Sequence, residues 1–469
     1  MERSTAILIA FAVYLVGLFG LGWVASVRTR DAAGFYLGGR TLGPWVTALA
    51  ANASSSSAWS LVGVSGFAYR DGLAALWILP GSIGGFVLNW LVVAPRLRNA
   101  TGNAVTLTEF FAGAPGRPGR RAVVWLASLL TLGSLLTYVA AQVQAAGGAF
   151  THAFTMDATY GIVLGAVITV LYTLCGGYLA ASLTDTVQGL LMVLVAIAVP
   201  AAAIVHLGGF AAFTDAVAAI DSPGYHDPYR GRLGLAAVGF ALSFCGIGLG
   251  YPGQPHAVNK FMGMAPGASM TIARTVGISW AVILYTGMIV VGWAVRASWP
   301  LAAGAHEDSL YEASRQLFPP LVDGLVLAAV LAAIMSTVDS QLLVCASCVT
   351  HDLGFAARSN AGMLRAARAT VLTIGAGATI AALLVPKNTF DHVLFAWAAL
   401  GSAFGPLLLV RLLVGPVAPW WSFASMLTGG VLAIGGYYVP VLSPGFADRV
   451  LSWLVALAVA WFGARRSRF

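Results

Sequence analysis

The chain has 469 residues, 59% of them hydrophobic and only 9% charged, with a mean hydropathy of +0.85. Soluble domains carry about 25% charged residues, so this composition excludes a soluble enzyme or nucleic-acid-binding domain and describes a polytopic, all-α membrane protein. The net charge of +8 is then topology charge rather than a polyanion-binding surface.

Windows of about 20 apolar residues mark the membrane spans. In chain order they are 5–26, 43–70, 73–95, 122–148, 157–178, 182–206, 234–255, 270–297, 318–350, 366–386, 391–414, 420–438 and 448–465, which makes about thirteen. The first run is too long for a signal-peptide core and has no A-x-A-like exit, so it is expected to be retained. Alternating the loops from an outside N-terminus puts seventeen of the twenty-five Lys and Arg residues on the cytoplasmic side, Lys260 among them. The positive-inside rule therefore predicts an outside N-terminus and a cytoplasmic C-terminus. The four cysteines, Cys175, Cys245, Cys345 and Cys348, fall in apolar runs and read as free thiols without metal-pair spacing.

Two spans carry helix breakers. The second contains Asn52-Ala53-Ser54-Ser55-Ser56-Ser57-Ala58-Trp59, where consecutive hydroxyls compete for backbone hydrogen bonds. The seventh runs Gly246 to His256 with four glycines and two prolines. Irregular backbone at membrane depth persists only where it lines a protein-buried or wet cavity. Two such breaks, five spans apart, are the pattern of an inverted-repeat secondary transporter. The repeats would be 43–206 and 234–414, with 5–26 and 420–465 peripheral, in one transmembrane domain.

Two acids lie inside spans. Asp185 is near the start of the sixth and Asp339 is in the middle of the ninth. An acid at the bilayer centre costs from about 2.5–3.5 kcal/mol on insertion scales to over 10 in simulations, so it marks a functional site by default. Ala333, Ser336, Thr337 and Ser340 fall on one helical face with Asp339 beside them. The plainer reading, hydroxyls bonding back to i−4 carbonyls, competes with a cation-binding role. Asp185 also reads as a solvated helix N-terminal acid with Thr184 as a cap, a role that can coexist with cation binding. His256 reads as a loop or interface residue rather than a proton relay. Asp323 lies near a span end, within reach of water.

Several segments together resemble the sodium/solute symporter family, most closely its bacterial sodium/proline symporters. They are Tyr36-Leu37-Gly38-Gly39-Arg40-Thr41-Leu42-Gly43-Pro44, Asn89-Trp90, Pro95-Arg96-Leu97-Arg98, Gly176-Gly177-Tyr178, Thr184-Asp185-Thr186-Val187-Gln188, Gly250 to His256, and Met335-Ser336-Thr337 with Gln341-Leu342-Leu343. The resemblance implies a LeuT-type five-plus-five inverted-repeat fold working by alternating access. It also implies sodium-coupled import of a small solute, an amino acid such as proline, across a bacterial plasma membrane. Sodium is the one ion required, with no other cofactor, and the partners are the solute, the ion and the bilayer.

By the same resemblance, one sodium takes the carbonyls of Ala53, Ser56 and Ala333 and the hydroxyls of Ser336 and Thr337. A second cation or proton site would comprise Asp185, Ser336, Asp339 and Ser340. The solute pocket maps to Ser57, Ala58, Trp59, Tyr138, Ile247, Tyr251, Gln254 and Pro255. Sodium requires about five hard oxygen ligands at roughly 2.3–2.5 Å, which freed carbonyls and hydroxyls supply. The chain departs from proline symporters at Ser55, where they carry aspartate, and at Ile247, where they carry tryptophan. Asp339 is expected to return the missing carboxylate from the opposite wall, and Ile247 to reshape the apolar side of the pocket.

The alternatives are a proton-coupled symporter of a different amino acid or small carboxylate on the same fold and, more remotely, a membrane sensor or receptor. A signalling domain is not expected after Arg465-Arg466-Ser467-Arg468-Phe469. An intramembrane aspartyl protease using Asp185 and Asp339 leaves both broken helices unexplained, and no Gly-x4-Gly-Lys-Ser/Thr motif for ATP-driven pumping occurs.

Overall fold

The structure is a computed structural model. It describes residues 2–26, 38–100, 102, 104–154, 156–175, 177–355, 360–385, 389–439, 441 and 443–467. Tyr36, Leu37, Gly176 and the basic residues Arg28, Arg30, Arg358, Lys387 and Arg468 lie outside the described residues. Helix occupies each of the thirteen apolar windows. The elements are α1 (Arg3–Ser26), α2 (Pro44–Ser55), α3 (Val64–Asp71), α4 (Leu107–Ala112), α5 (Arg120–Phe154), α6 (Ala158–Cys175), α7 (Tyr178–His206) and α8 (Gly234–Gly250). They continue with α9 (Pro255–Met262), α10 (Met270–Ser298), α11 (Ser309–Leu317), α12 (Pro320–Ser347), α13 (Asn360–Leu384), α14 (Thr389–Leu413), α15 (Pro419–Tyr438) and α16 (Ser452–Arg466).

Nine helical segments among the described residues are long and apolar enough to cross a membrane alone. A tenth is a pair, Trp59–Trp77 and Leu79–Ala100, bent by 62°. The third window is thus not one straight helix. It is a chain of short turns, including wide turns at Leu79–Ile83 and Asn89–Val93, that begins at Gly72. Pro80 removes an amide donor there, and three of the next five residues are glycine, which together account for the irregular winding.

Both predicted breaks are present. α2 stops at Ser55, and Ser56 is extended (φ −118°, ψ 94°) before the chain re-enters helix at Trp59. α8 ends at Gly250 in a tight turn, Tyr251–Gly253, and Gln254 is extended (φ −92°, ψ 100°). Pro255 then takes the first position of α9, where its missing amide costs nothing. The two broken spans are stitched together: the Leu42 amide donates to Gly263 O at 3.2 Å and the Ala265 amide to Leu42 O at 3.0 Å.

α14 and α12 are central, with 94% and 78% of their apolar windows buried, whereas α1 and α13 bury 28% and face outward. Loop contacts sort into two groups. Arg40 bonds Gly102 O, Arg98 bonds Ala268 O, and Thr106 bonds Asp352. At the other end Arg3 pairs with Asp323 at 2.6 Å, Arg230 with Asp71 and His152 with Asp308. Each group contains only loops that strict alternation of the spans puts on one side. Asp323 is paired rather than simply hydrated. Cys245, Cys345 and Cys348 are free.

Candidate functional site

The break after Ser55 opens towards α7 and α12. The Asn52 side-chain amide donates to Gly277 O at 2.7 Å, and the Trp90 indole donates to Asn52 Oδ1 at 3.1 Å. A Cβ on Gly277 would lie 2.2 Å from that indole nitrogen, so only glycine admits this contact. Asn52 thereby anchors the last turn of α2 just before the break.

Across from it, Ser336 of α12 donates to Ala53 O at 3.1 Å and to Ala333 O at 3.2 Å. Ala53 O also accepts the Ser56 amide at 3.2 Å. Ala53, Ser56, Ala333, Ser336 and Thr337 are all fully buried, at 0% exposure. The Thr337 hydroxyl is buried with no hydrogen-bond partner. Leaving a buried hydroxyl unpaired costs about 1–3 kcal/mol. The structure thus brings the Ser336 hydroxyl together with the Ala53 and Ala333 carbonyls.

The second quartet is brought together only in part. Asp185 Oδ2 accepts from Ser54 Oγ at 3.0 Å and Ser340 Oγ at 3.4 Å. Its strongest partner was not among the residues expected: Lys260 of α9, whose Nζ lies 2.9 Å away. Both side chains are buried, at 0% and 2% exposure. Lys260 is therefore not a loop charge of the kind counted for topology; it turns inward. Ser336 points instead to Ala53 O. Asp339 faces a different cavity, lined by Phe19, Tyr172, Thr173, Gly177 and Ala181, and neither carboxylate oxygen makes a hydrogen bond.

The residues mapped to the solute pocket form one buried cluster. Ser57, Ala58, Trp59, Tyr138, Ile247, Tyr251 and Gln254 are at most 4% exposed, and Pro255 is buried. Tyr138 Oη donates to Ser57 Oγ at 3.3 Å, and the Ala58 amide donates to Gln142 Oε1 at 3.0 Å. Tyr251 and Tyr285 share a hydrogen bond at 2.8 Å, and Tyr285 meets Ser60 at 3.1 Å. Trp397 stands edge-on to Tyr251, ring centroids 4.6 Å apart, and to Tyr138 at 6.5 Å. The Trp397 indole donates to Ile247 O at 3.0 Å, holding the end of α8. Gln254 donates to Gly250 O and Trp397 O, while its Oε1 is buried without a partner. His256 lies at a helix interface rather than in a loop: it is 1% exposed and edge-on to Tyr138, with both ring nitrogens unpaired.

The two broken helices thus face each other across hydroxyls, backbone carbonyls and aromatic rings. Comparison with known proteins decides the family. The family model described as the sodium:solute symporter family matches residues 35–429. The chain belongs to the sodium:solute symporter family. That makes it a transporter rather than an enzyme, and a multi-pass protein of the plasma membrane.

Among relatives of this symporter, the osmoregulated proline transporter OpuE of Bacillus subtilis is 35% identical, covering 99% of this chain and 96% of that protein. The sodium/proline symporter of Escherichia coli is also 35% identical, covering 92% and 88%. A Na+-coupled sialic acid symporter, solved in a substrate-bound outward-open state and reported to reveal a novel Na+-site, superposes with a TM-score of 0.82 at 17% identity. It covers 99% of this chain and 98% of that one. MhsT in complex with L-phenylalanine gives 0.58 at 14% identity, covering 90% and 98%. These likenesses establish the LeuT-type transporter fold.

Sequence reasoning missed Ser54, Gln142, Tyr285, Trp397 and Lys260. One signal was available for the last. The chain has only two lysines among its twenty-five basic residues, and Lys260 lies four residues after His256, one helical turn beyond the break.

Proposed function

We propose that this symporter couples an inward sodium gradient to import of a small organic solute by alternating access, with proline the first candidate. The observation that carries this reading is 35% identity to proline carriers over at least nine-tenths of the chain. Thirteen crossings, an outside N-terminus and a cytoplasmic C-terminus complete the proposed topology. Residues 43–206 and 234–414 are the two inverted repeats, flanked by 5–26 and 420–465.

The sodium is held by the carbonyls of Ala53, Ser56 and Ala333 and by the hydroxyls of Ser336 and Thr337. The unpaired Thr337 hydroxyl supports that assignment. The solute lies among Ser57, Ala58, Trp59, Tyr138, Ile247, Tyr251, Gln254 and Pro255. Its apolar body packs on the rings, and its charged ends meet the exposed backbone of the two breaks. A site that binds sodium and solute side by side lets each stabilise the other's bound state, which is the thermodynamic content of coupling.

The test is uptake of radiolabelled proline, with a panel of other amino acids and small carboxylates, into liposomes holding the purified protein. Uptake of one of these that needs an inward sodium gradient is expected. A second reading, proton coupling, is favoured by the unpaired Asp339 carboxylate. Uptake that persists when sodium is removed at fixed pH, and follows an imposed proton gradient, would establish it instead.

A further inference from the structure

The Lys260–Asp185 pair has no role in the reading above, yet it is the most deeply buried ion pair among the described residues. Its surroundings are rich in oxygen groups. Lys260 Nζ sits 2.9 Å from Asp185 Oδ2 and 3.3 Å from Ser182 Oγ, with the Tyr178 ring centroid 5.0 Å away. The same carboxylate oxygen takes Ser54 and Ser340, whose hydroxyls are 3.1 Å from each other. Asp185 and Ser182 of α7 thus meet the positive charge that α9 supplies, and Ser54 of α2 and Ser340 of α12 complete the shell of the carboxylate.

We propose that Lys260 is a tethered cation that fills the second ion site at Asp185, so that solute is coupled to the sodium of the first site alone. This rests on the sodium reading of the site at Ser336 and Thr337 and extends it to stoichiometry. A lysine ammonium is a compact point charge with three donors. It satisfies the buried Asp185 carboxylate and the Ser182 hydroxyl, neutralising the site as a metal ion would, but it cannot leave. A mobile cation entering beside it would meet a like charge in a site with little water to screen it. Asp185 is therefore neutralised without consuming an ion from the gradient. The ion pair also ties α9, half of one broken span, to α7, which packs against α2, half of the other.

The proposal predicts what happens when the tether is cut. Lys260→Met leaves Asp185, Ser54, Ser182 and Ser340 as an empty oxygen site carrying a negative charge. Radiolabelled sodium binding to the purified full chain should then rise by one ion per chain relative to wild type. Lys260→Arg keeps the charge and should bind the wild-type number. The double variant Asp185→Asn, Lys260→Met removes both charges and should also bind the wild-type number.

A folded Lys260→Met protein that binds no more sodium than wild type overturns the proposal, and so does an extra ion in the double variant. If Lys260→Met unfolds at low salt, it is assayed by size exclusion and thermal unfolding in sodium and in choline chloride. Refolding in sodium alone supports the proposal. Failure to fold in sodium while the double variant folds overturns it. A wild-type protein that binds no sodium refutes the first-site reading by itself, and the difference between Lys260→Met and wild type still decides the role of Lys260.

Discussion

Ser336→Ala tests the first sodium site directly. Ser336 is fully buried, and its Oγ lies within hydrogen-bond distance of Ala53 O and Ala333 O, two further proposed ligands. Removing the hydroxyl should unfold nothing, because Ala53 O still accepts the Ser56 amide and the side chain shrinks by one atom. A polar contact to a charged group contributes about 1.5–3 kcal/mol, which corresponds to about a 10- to 150-fold weaker sodium affinity. The assay is solute uptake in proteoliposomes at fixed membrane potential, read as the half-saturating sodium concentration. Ser55→Ala is the control. Ser55 is almost as buried, yet its hydroxyl bonds back to Ala51 O at 2.9 Å and Asn52 O at 3.0 Å within its own helix. Its loss should cost about 0.5–1.5 kcal/mol of stability and leave the sodium dependence in place. Unchanged sodium dependence in Ser336→Ala, or an equal loss in both variants, would refute the assignment.

Asp339→Asn should leave sodium-driven uptake in place, because Asp339 faces a cavity apart from the Ser336 site; loss of coupled uptake in this variant would favour the proton-coupled reading instead. Gly253→Ala should destabilise the fold by about 1–3 kcal/mol, because its Cβ would sit 2.6 Å from Gly401 Cα and Leu400 O, both backbone atoms that cannot swing aside; thermal unfolding in detergent measures it. Outside the membrane, the Glu109 carboxyl is held below its ordinary pKa, first by its hydrogen bond with His351 and also by the Val105 amide, which donates to it at 2.9 Å. A depressed carboxylate contributes stability above its unfolded pKa of about 4.3 and loses it as pH falls through the lower folded value. Protection of the Val105 amide against hydrogen exchange, taken relative to the intrinsic rate at each pH, should therefore hold near neutral pH and fall only below about pH 4, and Glu109→Gln should show less protection than wild type at neutral pH.

The two breaks were legible because they are written in residues with strong backbone consequences. Pro252 and Pro255 forbid continuous helix, and the serine run supplies competing acceptors, so Ser56 and Gln254 both fall in extended backbone. The Ser336–Thr337–Ser340 face was legible because helical periodicity fixes it. Asp339 shows where periodicity needs care. At about 100° per residue, Ser340 lies about 40° from Ser336 on one side and Asp339 about 60° away on the other. Ser340 therefore reaches Asp185 on α7, while Asp339 turns towards Tyr172 on α6 and Phe19 on α1. Which neighbour stands on each side of a helix is set by the three-dimensional packing, which local sequence does not contain.

Lys260 is the extreme case of that limit. It is separated from Asp185 by 75 residues, and it lies in an eight-residue helix whose make-up, Pro-His-Ala-Val-Asn-Lys-Phe-Met, resembles a polar loop in any hydropathy window. Counting charges by loop assigns such a residue to topology, because the count treats every basic group between spans as solvated. Yet a half-helix after a break lies inside the protein, so its polar residues face the interior rather than water. The break that made the solute site recognisable in the sequence thus also turned a loop lysine into a buried charge, and a buried ammonium requires a partner such as Asp185.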